Sequence, residues 1–199
     1  MEVFVPLPAP LDRIEAVRAV RSTLLSGSIQ ALRGRQMFDA YFKVLPPKYH
    51  EPILSMVAGV WIPMELARAH YVALDALIPD ERQQIDMGRN VADRIHRTIL
   101  ATVAKAATGA GVTPWMGLAT MPKLWDRTFV GGGIAVHKLG PKDARLDIVR
   151  LSLLDTSSYF RHAFRGVFAA GIELFCRRAF VVELPRRGDV FSYKVSWAG

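Results

Sequence analysis

The spacing of apolar residues changes once along this chain, and that change constrains the fold more than any other feature. Up to Thr128 apolar residues recur mostly at helical spacing, and after Gly131-Gly132-Gly133 they alternate. A side chain returns to the same face after about 3.6 residues on a helix and after about two on a strand. The chain is therefore expected to be helical through its first two thirds and to end in a sheet, an α+β fold. The last segment shows this best: Phe191, Tyr193, Val195 and Trp197 alternate with Ser192, Lys194 and Ser196. Such a strand has one buried face and one wet face.

Four strands are expected after the glycines, over Ile134–Leu139, Ala144–Leu151, Phe180–Leu184 and Val190–Trp197. Gly140-Pro141-Lys142-Asp143 and Pro185-Arg186-Arg187-Gly188-Asp189 supply the turns. Between the second and third strands, Tyr159–Phe175 carries Phe160, Phe164, Val167, Phe168, Gly171, Ile172 and Phe175 on one helical face. The order β-β-α-β-β predicts a four-stranded, mostly antiparallel sheet with a crossing helix.

Ahead of it, residues 1–10 read as a proline-rich extended arm and 11–130 as a helical part. Together with the sheet part, 131–199, the helical part makes one domain over 11–199. Helices are expected over Leu11–Arg33, where a short strand near Ala16–Val20 also suits the pattern, over Gln36–Val44 and over Tyr49–Val57. Pro63 suits the first turn of a helix continuing over Met64–Leu77. Asp80, with Gln83 three residues on, is placed to cap a long helix over Glu81–Ala107. Thr113-Pro114 opens a further short helix, and Lys123–Thr128 another.

Bulk properties exclude several classes. A chain of 199 residues, 51% of them apolar, buries a core without covalent staples. Its single cysteine, Cys176, leaves no intramolecular disulfide and no cysteine-based zinc site; it is expected to be a buried structural thiol. No apolar run is long enough to span a bilayer, and Met1–Pro10 lacks the basic start of a signal peptide, so a cytoplasmic location is expected. The net charge is +8, but the arginines are scattered and no run of five basic residues occurs. A solvated basic surface is expected rather than a nucleic-acid or lipid-facing one.

Catalytic patterns are missing. His50, His70, His96, His137 and His162 do not stand at metal-ligand spacing from one another or from Cys176. The glycine triplet lacks the Lys-Ser/Thr of a phosphate loop and reads as a flexible helix-to-strand transition. There is no Gly-x-Ser-x-Gly elbow. What remains is apolar. Trp115, Met116, Trp125, Phe160, Phe164 and Phe168 are either ordinary core or the wall of an apolar ligand pocket between helices and sheet.

Several motifs, in order, resemble a known superfamily. They are Leu45-Pro46-Pro47, Trp61-Ile62-Pro63, Met121-Pro122-Lys123-Leu124-Trp125, a glycine-led strand with Gly140-Pro141 and Ala144-Arg145-Leu146, and the ending Tyr193-Lys194-Val195-Ser196-Trp197 after Gly188-Asp189. Over about Arg18–Trp197 the chain resembles the superfamily of haem-NO-binding domains, 4-vinyl-reductase domains and transport-particle (TRAPP) trafficking subunits. The nearest likeness is to an uncharacterised myxobacterial family. The resemblance implies a helical bundle joined to an antiparallel sheet, often dimeric, around an apolar cavity. Haem-binding members carry a Tyr-x-Ser-x-Arg motif that this chain lacks, and the closing hairpin has no cysteine. No metal and no cofactor are therefore expected, with haem disfavoured. The leading expectation is a non-enzymatic sensor or regulatory domain binding a small apolar molecule or an acyl chain. A dimerisation or protein-partner module is the alternative, and a haem-based gas sensor using His70 or His96 is a weaker one.

Overall fold

The structure, a computed structural model, describes residues 2–92 and 113–199. It opens with β1 (Glu2–Val5) and, after a turn of 3-10 helix, β2 (Ala19–Arg21). Then come α1 (Ser22–Gly34), α2 (Phe38–Val44), α3 (His50–Leu54), β3 (Trp61–Pro63) and α4 (Met64–Leu77). The next helix, α5, is described over residues 81–92. Asp80 caps it, its Oδ1 accepting from the Gln83 N–H at 2.9 Å. The expected continuation to Ala107, the Asp93–Arg97 pair and His96 lie outside the described residues.

Beyond them lie α6 (Pro114–Ala119), α7 (Met121–Thr128), β4 (Phe129–Val130), β5 (Gly133–Gly140) and β6 (Asp143–Val149). The chain ends with α8 (Leu153–Thr156), α9 (Ser158–Ile172), β7 (Arg178–Arg187) and β8 (Val190–Ala198). The α+β class holds, and the two late hairpins flank α9. The four-stranded sheet does not hold: the main sheet has five strands in the order β1-β5-β6-β8-β7, and β3-β2-β4 form a second sheet. The arm supplies the fifth strand by pairing antiparallel with β5, Val3 opposite His137 and Glu2 opposite Lys138. It covers what would otherwise be a bare edge of backbone donors and acceptors. Of the second sheet, β2 overlaps the short strand that the pattern also suited near Ala16–Val20, while β3 and β4, of three and two residues, are too short for alternation to show in sequence.

At the far edge, α9 and the turn after it guard β7. Arg165 Nε donates to the Val181 carbonyl at 3.3 Å, and Glu173 Oε1 accepts from the Ala179 N–H at 3.1 Å. Side chains thus take backbone groups that a foreign strand would use.

Two devices fix α9. Its N-terminus is capped twice. Ser157 Oγ accepts from the Phe160 N–H at 3.0 Å, and Asp75 of α4 accepts from the Tyr159 N–H at 2.5 Å and from Ser158 Oγ at 2.6 Å. A carboxylate beside unpaired N–H groups also meets the positive end of the helix dipole. Against α5, α9 packs backbone to backbone. A Cβ at Gly88 would overlap the Ala163 carbonyl, and one at Gly166 the Ile85 carbonyl.

The helical part contains a closed polar core. His70 is fully buried on α4, with Nε2 at 2.5 Å from Ser28 Oγ and Nδ1 at 2.7 Å from the Tyr41 hydroxyl. Ser28 Oγ donates to the Leu25 carbonyl at 2.9 Å, so it accepts from His70 Nε2–H. Nδ1 then accepts from Tyr41. Burial lowers the His70 pKa to about 3, so the ring is neutral near pH 7. Every polar atom of this triad is used, and it ties α1, α2 and α4 together.

Candidate functional site

An apolar cavity of about 130 Å³ lies between α7 and α9. The phenylalanine face of α9 forms one wall, with Phe164, Val167, Phe168, Gly171 and Ile172, extended by Phe175. Recurrence every three or four residues makes this one stripe. Met121, Leu124, Trp125 and Thr128 of α7 form the opposite wall, while Leu24 of α1, Ala92 of α5 and Ile134 of β5 contribute to the lining.

The polar atoms of this wall are already spent. Thr120 Oγ donates to the Gly117 carbonyl at 2.7 Å, and Thr128 Oγ to the Leu124 carbonyl at 2.7 Å. Trp125 Nε1 donates to the Gly131 carbonyl at 2.9 Å. No charged residue lines the cavity among the described residues. It can therefore select by shape and dispersion, and it offers a charged ligand no partner. Its volume matches that of cavities, ~150 Å³, that stay dry and take a benzene-sized molecule.

The corner beneath Trp125 explains the glycine triplet. Gly131 and Gly132 have φ of 91° and 64°, and a Cβ at Gly132 would press on Val17 and Trp125. The Gly132 N–H donates to the Glu15 carbonyl at 2.8 Å. A left-handed, hydrogen-bonded corner takes the place of the expected flexible transition.

Of the six residues singled out in sequence, Trp125, Phe164 and Phe168 line this cavity. Phe160 lines a smaller one of about 20 Å³, with Ser28, Tyr71 and Tyr159 among its neighbours. The two cavities share Leu24, Phe164 and Val167 as walls. Among the described residues the buried Tyr159 hydroxyl has no hydrogen-bond partner. Trp115 and Met116 lie elsewhere. Trp115 packs edge-on between Phe4 and Trp197, each 5.0 Å away, and donates to the Pro141 carbonyl at 3.0 Å. Met116 is 54% exposed. Leu124 and Leu24 were not anticipated; Val167, Gly171, Ile172 and Phe175 already lay on the helical face read from sequence. Cys176 is half-buried, its thiol at 3.4 Å from the Ile172 carbonyl, and burial raises its pKa. It is a poor nucleophile near pH 7.

No family model matches the sequence, and no curated protein matches it. Solved structures do. An Fe(II) unliganded H-NOX protein from K. algicida has a TM-score of 0.65 at 10% identity, covering 90% of this chain and 97% of that one. An oxygen-binding H-NOX domain related to soluble guanylate cyclases, in its oxygen complex, has a TM-score of 0.60 at 13% identity, with 90% and 95% covered. A structure from work on haem distortion in the H-NOX family has a TM-score of 0.59 at 13% identity, with 90% and 95% covered. The chain thus has the fold of haem-NO-binding domains. The myxobacterial, 4-vinyl-reductase and trafficking-subunit likenesses rest on the sequence motifs alone.

This likeness overturns the expectation of a chain without a cofactor, since the neighbours are haem domains. The described residues fit a haem in part. The walls are apolar, as a porphyrin face requires, but the present volume takes one aromatic ring and would have to widen. Among residue types that bind haem iron, the described lining holds only Met121. His70 is removed as a ligand because both ring nitrogens are taken. His50 Nε2 meets the Leu45 carbonyl at 2.8 Å, His137 Nε2 meets Asp147 at 3.0 Å, and His162 Nδ1 meets Gln84 at 2.6 Å. None of these three is among the described residues that line the cavity, and His96, four positions after the lining residue Ala92 in sequence, lies outside the described residues.

Proposed function

We propose that this chain is a non-enzymatic sensor domain whose ligand occupies the cavity between α7 and α9. The observation that carries the reading is a void walled by apolar side chains whose few polar atoms are already hydrogen-bonded, in a fold shared with ligand-binding haem domains. The ligand class that suits this wall is a small apolar molecule or the end of an acyl chain. A catalytic role finds no support in the site, because no described lining residue can act as nucleophile, acid or base there.

Haem is the second reading, favoured by the fold, with His96, which lies outside the described residues, as the ligand the sequence offers. The chemistry a haem would supply is reversible binding of a diatomic gas at iron. The protein's part would be to hold the ring between Phe164, Phe168 and Trp125 and to exclude water.

Titration separates the two. Purified protein is mixed with haemin, and in parallel with a fluorescent fatty acid, and Val167→Phe is run beside it. Saturable uptake of the fatty acid by wild type, weakened in Val167→Phe, supports the apolar-ligand reading. A Soret band that saturates at one equivalent and is lost in His96→Ala establishes haem. Uptake of neither probe refutes a sensor working through this cavity.

A further inference from the structure

A second surface, remote in chemistry from the cavity, is unpartnered. From Pro52 to Met64 the chain carries no charged residue. This stretch includes the loop from α3 to β3, and much of it faces outward: Leu54 is 60% exposed, Val57 66%, Val60 42% and Trp61 40%. Isolated exposed apolar side chains are ordinary, but a continuous apolar tip is not. The outer face of the small sheet extends it. There Trp61 and Pro63 of β3 pair with Arg21 and Ala19 of β2, while Ile62, Val20 and Phe129 point inward and are buried.

Four backbone groups of the loop are bonded from within. Ser22 Oγ donates to the Val57 carbonyl at 2.8 Å and accepts from the Val60 N–H at 3.1 Å. The Ser22 N–H donates to the Val60 carbonyl at 2.9 Å, and Arg21 donates to the Gly59 carbonyl at 2.9 Å. These bonds hold the loop's shape and reduce the number of polar groups it would strand on leaving water.

The rim is cationic. The Arg21 guanidinium lies 3.8 Å from the centre of the Trp61 ring and also donates to the Arg127 carbonyl at 3.2 Å. Arg18 precedes β2, and its carbonyl accepts from the Met64 N–H at 3.3 Å. Arg18, Arg21 and Arg127 make no ion pair among the described residues, in a chain of net charge +8. An apolar tip with tryptophan at its base and guanidinium groups that make no described ion pair beside it matches the layering of a membrane interface. Acyl chains meet Leu54 and Val57, the interfacial zone meets Trp61, and lipid phosphates meet the arginines.

The geometry points to a shallow docking site for an anionic lipid bilayer, formed by the 54–61 loop and the outer face of the small sheet. It is independent of the cavity's function. The full chain would adsorb with this face down and insert only the loop, since no helix among the described residues is long and apolar enough to cross a membrane.

The test is co-sedimentation of the full chain with vesicles of phosphatidylcholine alone and of phosphatidylcholine with phosphatidylserine, together with Trp emission and quenching by brominated lipid. Wild type is expected to bind the phosphatidylserine vesicles, with its emission shifted to the blue and quenched. Val57→Asp places a charge on a side chain that is mostly exposed, so it should fold like wild type by circular dichroism. It is expected to bind at least about tenfold more weakly. Trp61→Phe should remove the quenching while retaining most of the binding. Equal binding by wild type and Val57→Asp, abolished by salt, would show unspecific adsorption of a basic protein and overturn the proposal. So would failure to bind any vesicle. Self-association in analytical ultracentrifugation that Val57→Asp abolishes, without vesicle binding, would assign the surface to a second copy instead.

Discussion

Two interior regions of this molecule, one in the helical part and one beside the late helix, are organised on opposite rules. Around His70 the interior is polar and satisfied: three side chains from three helices bond one another, and the space beside Ser28 is only about 20 Å³. Between α7 and α9 the interior is apolar and incomplete, and the packing stops short of contact. A buried polar network tolerates no vacancy, because each stranded donor or acceptor costs free energy. An apolar wall tolerates one at the cost of lost dispersion contacts, and a ligand can restore them. The contrast teaches that in this fold the polar core holds the helices in place and the apolar gap is the part available for binding. Gly88 and Gly166 let α5 and α9 touch while α9 presents its phenylalanines to the gap.

The largest expected effect comes from breaking the closed region. His70→Leu strands the Tyr41 hydroxyl in the interior and removes the donor to Ser28 Oγ, and urea unfolding should show a loss of about 3–5 kcal/mol. Gly166→Ala should cost about 3 kcal/mol, because the new methyl meets a carbonyl and the helices must part. The same unfolding experiment checks it, and a loss below about 1 kcal/mol would show the crossing to be looser than described.

Acid probes the polar region without mutation. The folded pKa of His70 is lowered to about 3 from an ordinary 6.5, so the unfolded chain takes up a proton first. Stability is therefore fully present above pH 6.5 and is lost as pH falls toward 3. The slope for one proton is about 1.4 kcal/mol per pH unit, so lowering pH from 7 to 5 should cost about 2 kcal/mol. His162, also lowered by burial, adds in the same direction. His70→Leu should flatten most of this dependence. The smallest effect on stability belongs to the gap. Val167→Phe fills space and should change stability by about 1 kcal/mol or less, yet impair ligand uptake most.

The legibility of each region in sequence follows from the range of its interactions. The late strands were readable because a sheet with one wet face writes its alternation into Phe191–Trp197. The α9 face was readable because Phe164 and Phe168 recur on one helical stripe. β1 was not, because its pairing partner His137 lies more than half the chain away and the three prolines after it dominate the arm. His70 could be placed on a helix, but Ser28 and Tyr41 stand 42 and 29 positions from it, and no local pattern reports such a meeting. Half of the aromatic cluster misled for the same reason. Trp115, Met116 and Trp125 are neighbours in sequence, yet only Trp125 turns toward the gap, while Met116 faces solvent and Trp115 joins Phe4 and Trp197 at the end of the sheet.

The most direct measurement of the central claim is ligand uptake followed at the cavity wall. Trp125 lines the gap and Trp115 does not, so a fluorescent fatty acid entering it should quench the emission assigned to Trp125 by comparison with Trp125→Phe. The account predicts saturable quenching in wild type that Val167→Phe weakens and His70→Gln leaves in place at neutral pH, provided that variant remains folded. Quenching that is unchanged in both Trp125→Phe and Val167→Phe would contradict it, because the ligand would then be binding somewhere other than the cavity.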